Sequence, residues 1–435
     1  MKRIEGNKER GASLTGRTGE YLKNNIVVVI MLVLTVAGYS VSGVRPSFFL
    51  QEIISRFLRN AFLVLSLIVP VIAGIGLNFG IVIGAMAGQV AIIMVVGWNM
   101  TGFSSFLGAI VLSVPFAILF GWVTGKILNK TKGNEMITSQ ILGYLANGIY
   151  QFVLLCLVGT IIPFSKKEMM INTGVGIVST LDFTGTFKYS LDSLWMTTAG
   201  KFFVAVCAIV IVWCLVKVTR DILKKQIKSR SMACRIVLMV LCAFGIARYY
   251  MDPNFSFTLD FCDISVSTLI TIGLLCLFNT WLFKTKLGQD MRTVGQNQDV
   301  AAAAGIDVDR TRIIAIIIST IFAAWGQIIS LQNIGTMNVY SHHEQVGLLA
   351  VAAILVGGAS ISRATNAQAI IGVLLFHSLL AISPMAGTAL FAEAQVGEFF
   401  RVFVAYGIIF VSLAMNTAIQ IKKKNAGSGA LSNSH

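Results

Sequence analysis

Apolar runs of about twenty residues recur along this chain, and they constrain its fold more than any other feature. A helix of about 20 residues, rising about 1.5 Å per residue, crosses a hydrocarbon core about 30 Å thick. Of the 435 residues, 56% are hydrophobic and only 12% are charged, whereas soluble domains carry about 25% charged residues. The sequence therefore predicts an all-α, polytopic helical membrane protein with about ten to twelve transmembrane helices.

The distribution of basic residues predicts how the spans are oriented. Loops 126–132, 217–235 and 284–312 are rich in Lys and Arg, and such loops lie on the cytoplasmic side. Twelve crossings place these loops and both termini in the cytoplasm, as expected for a multi-pass protein of the bacterial cytoplasmic (inner) membrane. The predicted spans are 25–43, 61–77, 80–98, 103–124, 136–162, 196–216, 235–250, 264–283, 312–333, 346–358, 367–384 and 398–420.

The same pattern divides the chain into three parts. Residues 1–24 form a polar cytoplasmic tail, residues 25–421 form the transmembrane domain, and residues 422–435 form a second cytoplasmic tail. Before the second predicted span, the stretch 45–61 has apolar residues at helical spacing between three arginines. This spacing predicts a helix lying at the membrane interface.

Composition and motifs argue against several classes of function. The net charge is +15, but the basic residues gather beside apolar runs, which indicates membrane orientation and not nucleic-acid binding. The phosphate-binding sequence G-x-x-x-x-G-K-S/T is absent, so this chain should not bind ATP itself. The seven cysteines show no metal-binding spacing. We expect no cofactor, no metal and no enzymatic activity.

Residues 284–312, KTKLGQDMRTVGQNQDVAAAAGIDVDRTR, are the exception to the apolar pattern. This segment is charged and lies between two predicted spans. Its run of alanines favours a short helix, Gly305 is a suitable helix end, and the acidic DVDR sequence suits the start of the next helix. We predict a helix on the cytoplasmic membrane surface, whose small residues allow another protein to seat closely. An ordinary amphipathic connector is the alternative.

This segment resembles the cytoplasmic loop of ATP-binding-cassette (ABC) importer permeases of the ribose type. That family has T-x-L-G, a basic residue, A-x-G-x-N, and A-A-x-x-x-G-I-x-V. The matching residues here are Thr285, Leu287, Gly288, Arg292, Gly295, Asn297, Ala301, Ala302, Gly305, Ile306 and Val308. Gly357–Gly358 and the glycine-rich stretch 74–91 resemble two further family segments. The resemblance covers about residues 25–160 and 258–421, which identifies 195–250 as an insertion of two helices.

The resemblance implies a transport subunit with several partners. Two permease subunits, identical or different, would form the pore, and cytoplasmic ABC ATPases would grip the 284–312 coupling loop. An extracytoplasmic solute-binding protein would deliver the substrate. The residues that this assigns to ATPase coupling are Gly295, Gln296, Asn297, Ala301, Ala302, Gly305 and Ile306.

Polar side chains in the spans mark a candidate substrate path, because polar groups facing lipid are costly. Gln140, Tyr144, Asn147 and Gln151 share one helical face, and Gln89 and Gln327 lie in other spans. Uncharged donors with an aromatic ring suit a neutral polyol or a nucleoside, although the same residues could bond helices together. Glycine-interrupted spans at 74–88 and 357–358 mark either the path or close helix packing.

The sequence leaves more than one substrate and more than one transport class open. A monosaccharide follows from the family, and a nucleoside is the second choice because the Asp that sugar permeases carry in the 74–91 segment is absent. An ion-coupled secondary transporter or a channel is a separate alternative, although the predicted spans contain almost no Asp or Glu for ion coupling. His342, His343 and Glu344 are expected in a solvated turn of an outer loop.

Overall fold

The computed structural model describes residues 26–164, 166–172, 174–223, 229–393, 395–403, 406–407, 410–411 and 414. The two predicted tails and most of the last predicted span, 398–420, lie outside these residues. The described part contains fifteen α-helices with assigned bounds, and residues 395–403 are also helical. The helices are α1 (Ile26–Ser42), α2 (Pro46–Ser66), α3 (Ile68–Ile72), α4 (Ile81–Gly97), α5 (Gly102–Lys130), α6 (Glu135–Phe152), α7 (Ala199–Leu223), α8 (Ser229–Met251), α9 (Pro253–Asp260), α10 (Val266–Leu282), α11 (Lys286–Gln296), α12 (Gln298–Ala303), α13 (Val308–Ile334), α14 (Val346–Val356) and α15 (Asn366–Phe391).

Four short strands join the loops between these helices. They are β1 (Thr180–Asp182), β2 (Met196–Thr198), β3 (Asp263–Ser265) and β4 (Thr336–Asn338). β1 pairs with β4 and β2 pairs with β3, both antiparallel. The β1–β4 pair binds the long loop after α6 to the end of α13.

The predicted class of polytopic helical membrane protein is confirmed. Within the described residues, seven helices are long and apolar enough to cross a membrane, and α10 continues into α11 through a bend of 76°. Three shorter apolar helices accompany them. The seven long helices are Pro46–Ile72, Gly102–Lys130, Glu135–Leu157, Ala199–Leu223, Met232–Met251, Val308–Ile334 and Asn366–Phe391.

The predicted interfacial helix at 45–61 and the separate span at 61–77 are wrong. The structure has one helical segment from Pro46 to Ile72. Pro46 stands at its first turn, where a missing N–H costs nothing. The charges at 52–59 suggested an interface, but Arg56 and Arg59 are half-buried within the helix and meet polar groups there. Arg56 pairs with Glu52 of the same helix and Arg59 with the distant Asn333, and these contacts outweigh the local polarity.

Helix α13 is the centre of the bundle, and glycines bring its neighbours close. A Cβ on Gly88 of α4 would lie 2.6 Å from the Ala324 carbonyl oxygen, and one on Gly121 of α5 would lie 2.9 Å from the Ile317 Cα. Small residues at such crossings let helix backbones approach closely in membranes. For Gly88, the structure favours the packing interpretation over the substrate path.

The predicted two-helix insertion packs at the edge of this bundle. α7 and α8 contact each other, and α7 buries only Ala199, Gly200, Cys207 and Cys214. Among the side chains described in α8, none is buried. The α7–α8 hairpin is anchored through β2 and β3, where Cys262 and Ile264 pack against Leu50 of α2. Its assignment as an insertion stays a prediction.

Candidate functional site

The charged segment 284–312 forms two short helices and the start of α13. A side chain caps each helix: Thr285 Oγ1 accepts from the Gly288 N–H, Asn297 Oδ1 from the Asp299 N–H, and Asp307 Oδ1 from the Arg310 N–H. Gly305 has φ +81°, a backbone conformation that favours glycine. These are the helix, the glycine stop and the acidic start that the sequence predicts.

The predicted coupling residues divide into an exposed set and an inner set. Gln296, Asn297, Ala302 and Gly305 are exposed, whereas Gly295 and Ile306 are half-buried. Ala301 is fully buried and packs in a small cluster with Val294 and Val308. Asn297 uses its side-chain oxygen as a helix cap. Beside Ala302, the exposed Val300 adds an apolar side chain to the same turn.

Gly295 connects the loop to the end of the α2–α3 helix. A Cβ on Gly295 would collide with the Ile72 carbonyl oxygen, and a Cβ on Gly74 would lie 2.7 Å from the Gly295 Cα. Gly74 and Gly76 have φ of +73° and +80°, and the helical structure is interrupted there before α4 begins. Gly295 therefore faces this chain itself and not the surface offered to a partner, and any movement of the loop bears directly on α3.

A buried ion pair fixes the start of α13 to α6. Arg312 Nη2 lies 2.6 Å from Glu135 Oε1, and the Arg312 side chain is 0% exposed. A second pair, Lys132 to Asp309 at 2.8 Å, joins the same two regions at the surface. The loop between α5 and α6 is thereby held against the base of α13.

A polar cavity of 410 Å³ lies beside the middle of the Pro46–Ile72 segment and near the end of α13 farther from the loop. Gln327 on its wall is 19 residues beyond Val308, which is about 28 Å along α13 at about 1.5 Å per residue. The cavity lies among α2, α13, α14, α15 and the loop before α14. Its lining includes Arg56, Arg59, Asn60, Gln327, Ser330, His342, Glu344, Gln345 and His377.

His343 is the centre of a buried polar cluster beside this cavity, which corrects its predicted place in a solvated turn. Its side chain is 0% exposed, with Nδ1 2.8 Å from Gln89 Oε1 and Nε2 2.8 Å from Asn147 Oδ1. Tyr150 donates to the same Gln89 oxygen at 3.0 Å. Burial lowers the pKa of His343 to about 4, with a further contribution from His342. A neutral imidazole has one N–H, so it donates to one of these two oxygens at a time.

We expect Asn147→Leu to destabilise the protein by about 1–3 kcal/mol, because it removes a partner from a buried imidazole. Thermal unfolding of the detergent-solubilised protein measures the change. Gln140→Leu is the matched control on the same helix, and as an exposed substitution it should stay within about 0.5 kcal/mol. Equal stability of the two variants would show that the Asn147–His343 bond does not support the fold.

The structure brings together only some of the predicted path residues. Gln89, Asn147 and Gln151 meet in or beside the His343 cluster, and Gln327 lines the cavity. Gln140 and Tyr144 are exposed and bond to each other at 3.1 Å, away from both. The helical face that the i, i+4, i+7, i+11 spacing suggests is therefore divided between the outer surface of α6 and its contact with the His343 loop.

Sequence reasoning missed the two arginines of the cavity. Their signal was present as Arg56 and Arg59, spaced i, i+3 in a stretch that continues into an apolar run. These arginines can be assigned to the inside of a membrane span only when Pro46–Ile72 is known to be one helical segment. No group of three or more His, Cys, Asp or Glu side chains suited to a metal ion occurs in the described part of the chain.

The fold is that of a multi-pass helical membrane protein. It has a capped polar loop at one end of its bundle and a polar cavity farther from that end. The family described as "Branched-chain amino acid transport system / permease component" matches residues 233–413. The probable ABC transporter permease protein YphD of Escherichia coli (strain K12) is 30% identical over 169 residues. That match covers 38% of this chain and 48% of YphD, so the chain spans about half the length of this relative. No solved structure matches the chain. The two matches support an ABC transporter permease component.

Proposed function

We propose that this chain is the membrane-spanning subunit of an ABC importer that moves a small polar solute across the cytoplasmic membrane. Separate ATPase subunits supply the energy, a solute-binding protein delivers the substrate, and a second permease subunit completes the pore. The coupling loop and both termini then lie in the cytoplasm. A monosaccharide is the substrate that the family resemblance favours, and a nucleoside is the alternative.

One observation carries this proposal: the 284–312 loop has an exposed turn of small and apolar residues on a rigid, fully capped support. Val300 is 58% exposed, and Ala302 beside it is exposed too. The small side chains of this turn let another protein approach its backbone closely. The contact of Gly295 with Ile72 and Gly74 gives that turn a direct connection to the helix that lines the cavity.

The proposal predicts that the ATPase sits on this turn. A photo-crosslinking amino acid at Ala302 should capture the ATPase when the chain is co-expressed with the products of its neighbouring genes. Ala302→Arg should weaken that association by about 30-fold or more, because an unpaired charge at the centre of a contact costs about 2 kcal/mol or more. Ser193→Arg places the same side chain in an exposed turn outside the loop and should leave the association unchanged.

The same experiment separates this function from a secondary transporter or channel. Those classes have no ATPase subunit, so the chain would purify without one, and ATP depletion at a constant ion gradient would leave uptake unchanged. Normal uptake by the Ala302→Arg variant would contradict the proposed coupling.

A further inference from the structure

The cavity between α2, α13 and α15 holds two guanidinium groups within a membrane-spanning helix. Charged side chains inside spans are costly, face the protein interior or a watery path, and mark the sites of solutes and ions. Arg56 has a compensating partner, because its Nε lies 2.6 Å from Glu52 Oε1 one turn earlier. Among the described residues, no carboxylate forms an ion pair with Arg59.

Arg59 is held in place by a chain of hydrogen bonds from behind. Its Nε donates to Asn333 Oδ1 at 2.6 Å, and Asn333 Nδ2 donates to Asp192 Oδ2 at 2.6 Å. Asp192 is 0% exposed and also accepts from Thr268. These hydrogen bonds occupy Nε and orient the guanidinium group. The two terminal nitrogens of Arg59 have no hydrogen-bond partner among the described residues. A planar fork of donors oriented in this way matches a carboxylate in two-point contact.

Two further side chains of the cavity are buried without partners. Neither Gln327 Nε2 nor Gln327 Oε1 has a hydrogen bond among the described residues, and neither does His377 Nε2. Gln327 is 0% and His377 is 4% exposed, and both line the same cavity as Arg59. A buried polar group without a partner costs about 1–3 kcal/mol, so these donors and acceptors suit the hydroxyls of a bound molecule.

Of the charged groups at the cavity, Arg59 is the one that offers a solute a direct ion pair. Arg56 is compensated by Glu52, and His342 is uncharged at pH 7 because burial lowers its pKa. The Glu344 carboxylate lines the cavity as well, but it is exposed and accepts from Asn147. Arg59 has no carboxylate in direct contact, because Glu52 pairs with Arg56 and Asp192 reaches Arg59 only through Asn333. A singly charged carboxylate makes the direct ion pair that Arg59 lacks, whereas a doubly charged phosphate would bring a second negative charge close to Glu344.

We propose that the transported solute is a small polyhydroxy carboxylate of the sugar-acid class. Its carboxylate binds Arg59, and its hydroxyls bind Gln327 and His377. The volume of 410 Å³ is within the range of about 300–1,000 Å³ that holds small ligands. This inference rests on the proposed function and specifies its substrate, replacing a neutral sugar with its acid.

The test compares each acid with its neutral parent in cells that express the chain together with its ATPase and binding protein. The probes are radiolabelled D-glucuronate, D-galacturonate and D-gluconate against D-glucose and D-galactose, with L-serine as a zwitterion. At least one sugar acid should be taken up in preference to its parent. Arg59→Gln should lower kcat/KM for that acid by about 10- to 100-fold, and Arg59→Lys should lower it less because it retains the charge but loses the fork.

Arg45→Gln is the matched control, because it removes one positive charge at the start of the same helix, from an exposed residue outside the cavity. It should leave uptake unchanged. Membrane protein level and ATPase copurification are measured for every variant, so that a folding defect is recognised. Arg59→Gln should retain the wild-type membrane protein level and the bound ATPase. The transported acid should raise the melting temperature of the purified wild-type complex but not that of the Arg59→Gln complex.

The outcomes separate this inference from the proposed function. Preference for a neutral sugar or for L-serine overturns the sugar-acid assignment, and so does acid uptake that is indifferent to Arg59→Gln. A complex that binds its ATPase but takes up none of the acids overturns it too. Absence of a bound ATPase, with uptake independent of ATP, overturns the proposed function instead.

Discussion

Glu135→Ala is expected to destabilise the protein by about 3–5 kcal/mol, the largest loss of stability that we predict. Glu135 is the ion-pair partner of Arg312, which is 0% exposed, and Nε and Nη1 of Arg312 have no other partner among the described residues. Removing one member of a buried pair leaves an uncompensated charge, whose desolvation is no longer offset. Thermal unfolding of the detergent-solubilised protein, with membrane protein level as a second measure, checks the prediction.

The neighbouring ion pair provides the matched control. Lys132 and Asp309 join the same two regions, but their side chains are 44% and 61% exposed. Lys132→Ala should therefore cost only about 0–1 kcal/mol. Adding Arg312→Met to Glu135→Ala should restore much of the lost stability, because no buried charge remains. If Glu135→Ala and Lys132→Ala lowered the stability by equally small amounts, burial of the Arg312 pair would not add to its contribution to stability.

Gly295→Val is expected to reduce uptake per ATP hydrolysed by about 10-fold or more. Any Cβ at this position collides with the Ile72 carbonyl oxygen, so α11 must move away from the 72–76 segment. A coupling free energy between two sites is typically about 1–3 kcal/mol, or about 5- to 150-fold. Loss of the contact through which the loop acts on α2 and α3 should remove most of it. Uptake and ATPase activity measured in the same reconstituted vesicles give the ratio.

Gly273→Val is the control for this substitution. Gly273 lies in the preceding helix α10, and a Cβ there meets nothing within 4 Å. It should leave the ratio unchanged. An unchanged ratio in Gly295→Val, with the ATPase still bound, would show that force does not pass through Ile72 and Gly74.

The second half of the Pro46–Ile72 segment gives a physical account of how the loop and the cavity communicate. Ile72 meets the loop at Gly295, and Arg59 lies in the cavity, 13 residues and about 20 Å earlier on the same helical segment at about 1.5 Å per residue. Helix α13 makes the same connection from Val308 to Gln327. A tilt of either helix at the loop would therefore move a cavity side chain.

Local features were predictable because they depend on a few neighbouring residues. The long apolar runs predicted the membrane class, and the Gly305 stop and the Asp307 start of α13 follow from short-range backbone hydrogen bonding. The error at 45–61 has a related origin. The arginines and Glu52 lower the local hydropathy, so the stretch resembles an interface unless its distant partners are known.

Hydropathy and helix-end chemistry, read from the sequence by itself, determined that this chain is a multi-pass helical membrane protein with a capped polar loop. The tertiary structure alone decided which polar groups meet. Arg59 finds Asn333 across 274 positions of the chain, and His343 finds Gln89 across 254. Such pairs depend on how helices cross and which faces they bury, and side-chain periodicity within one helix contains no information about the partner on another.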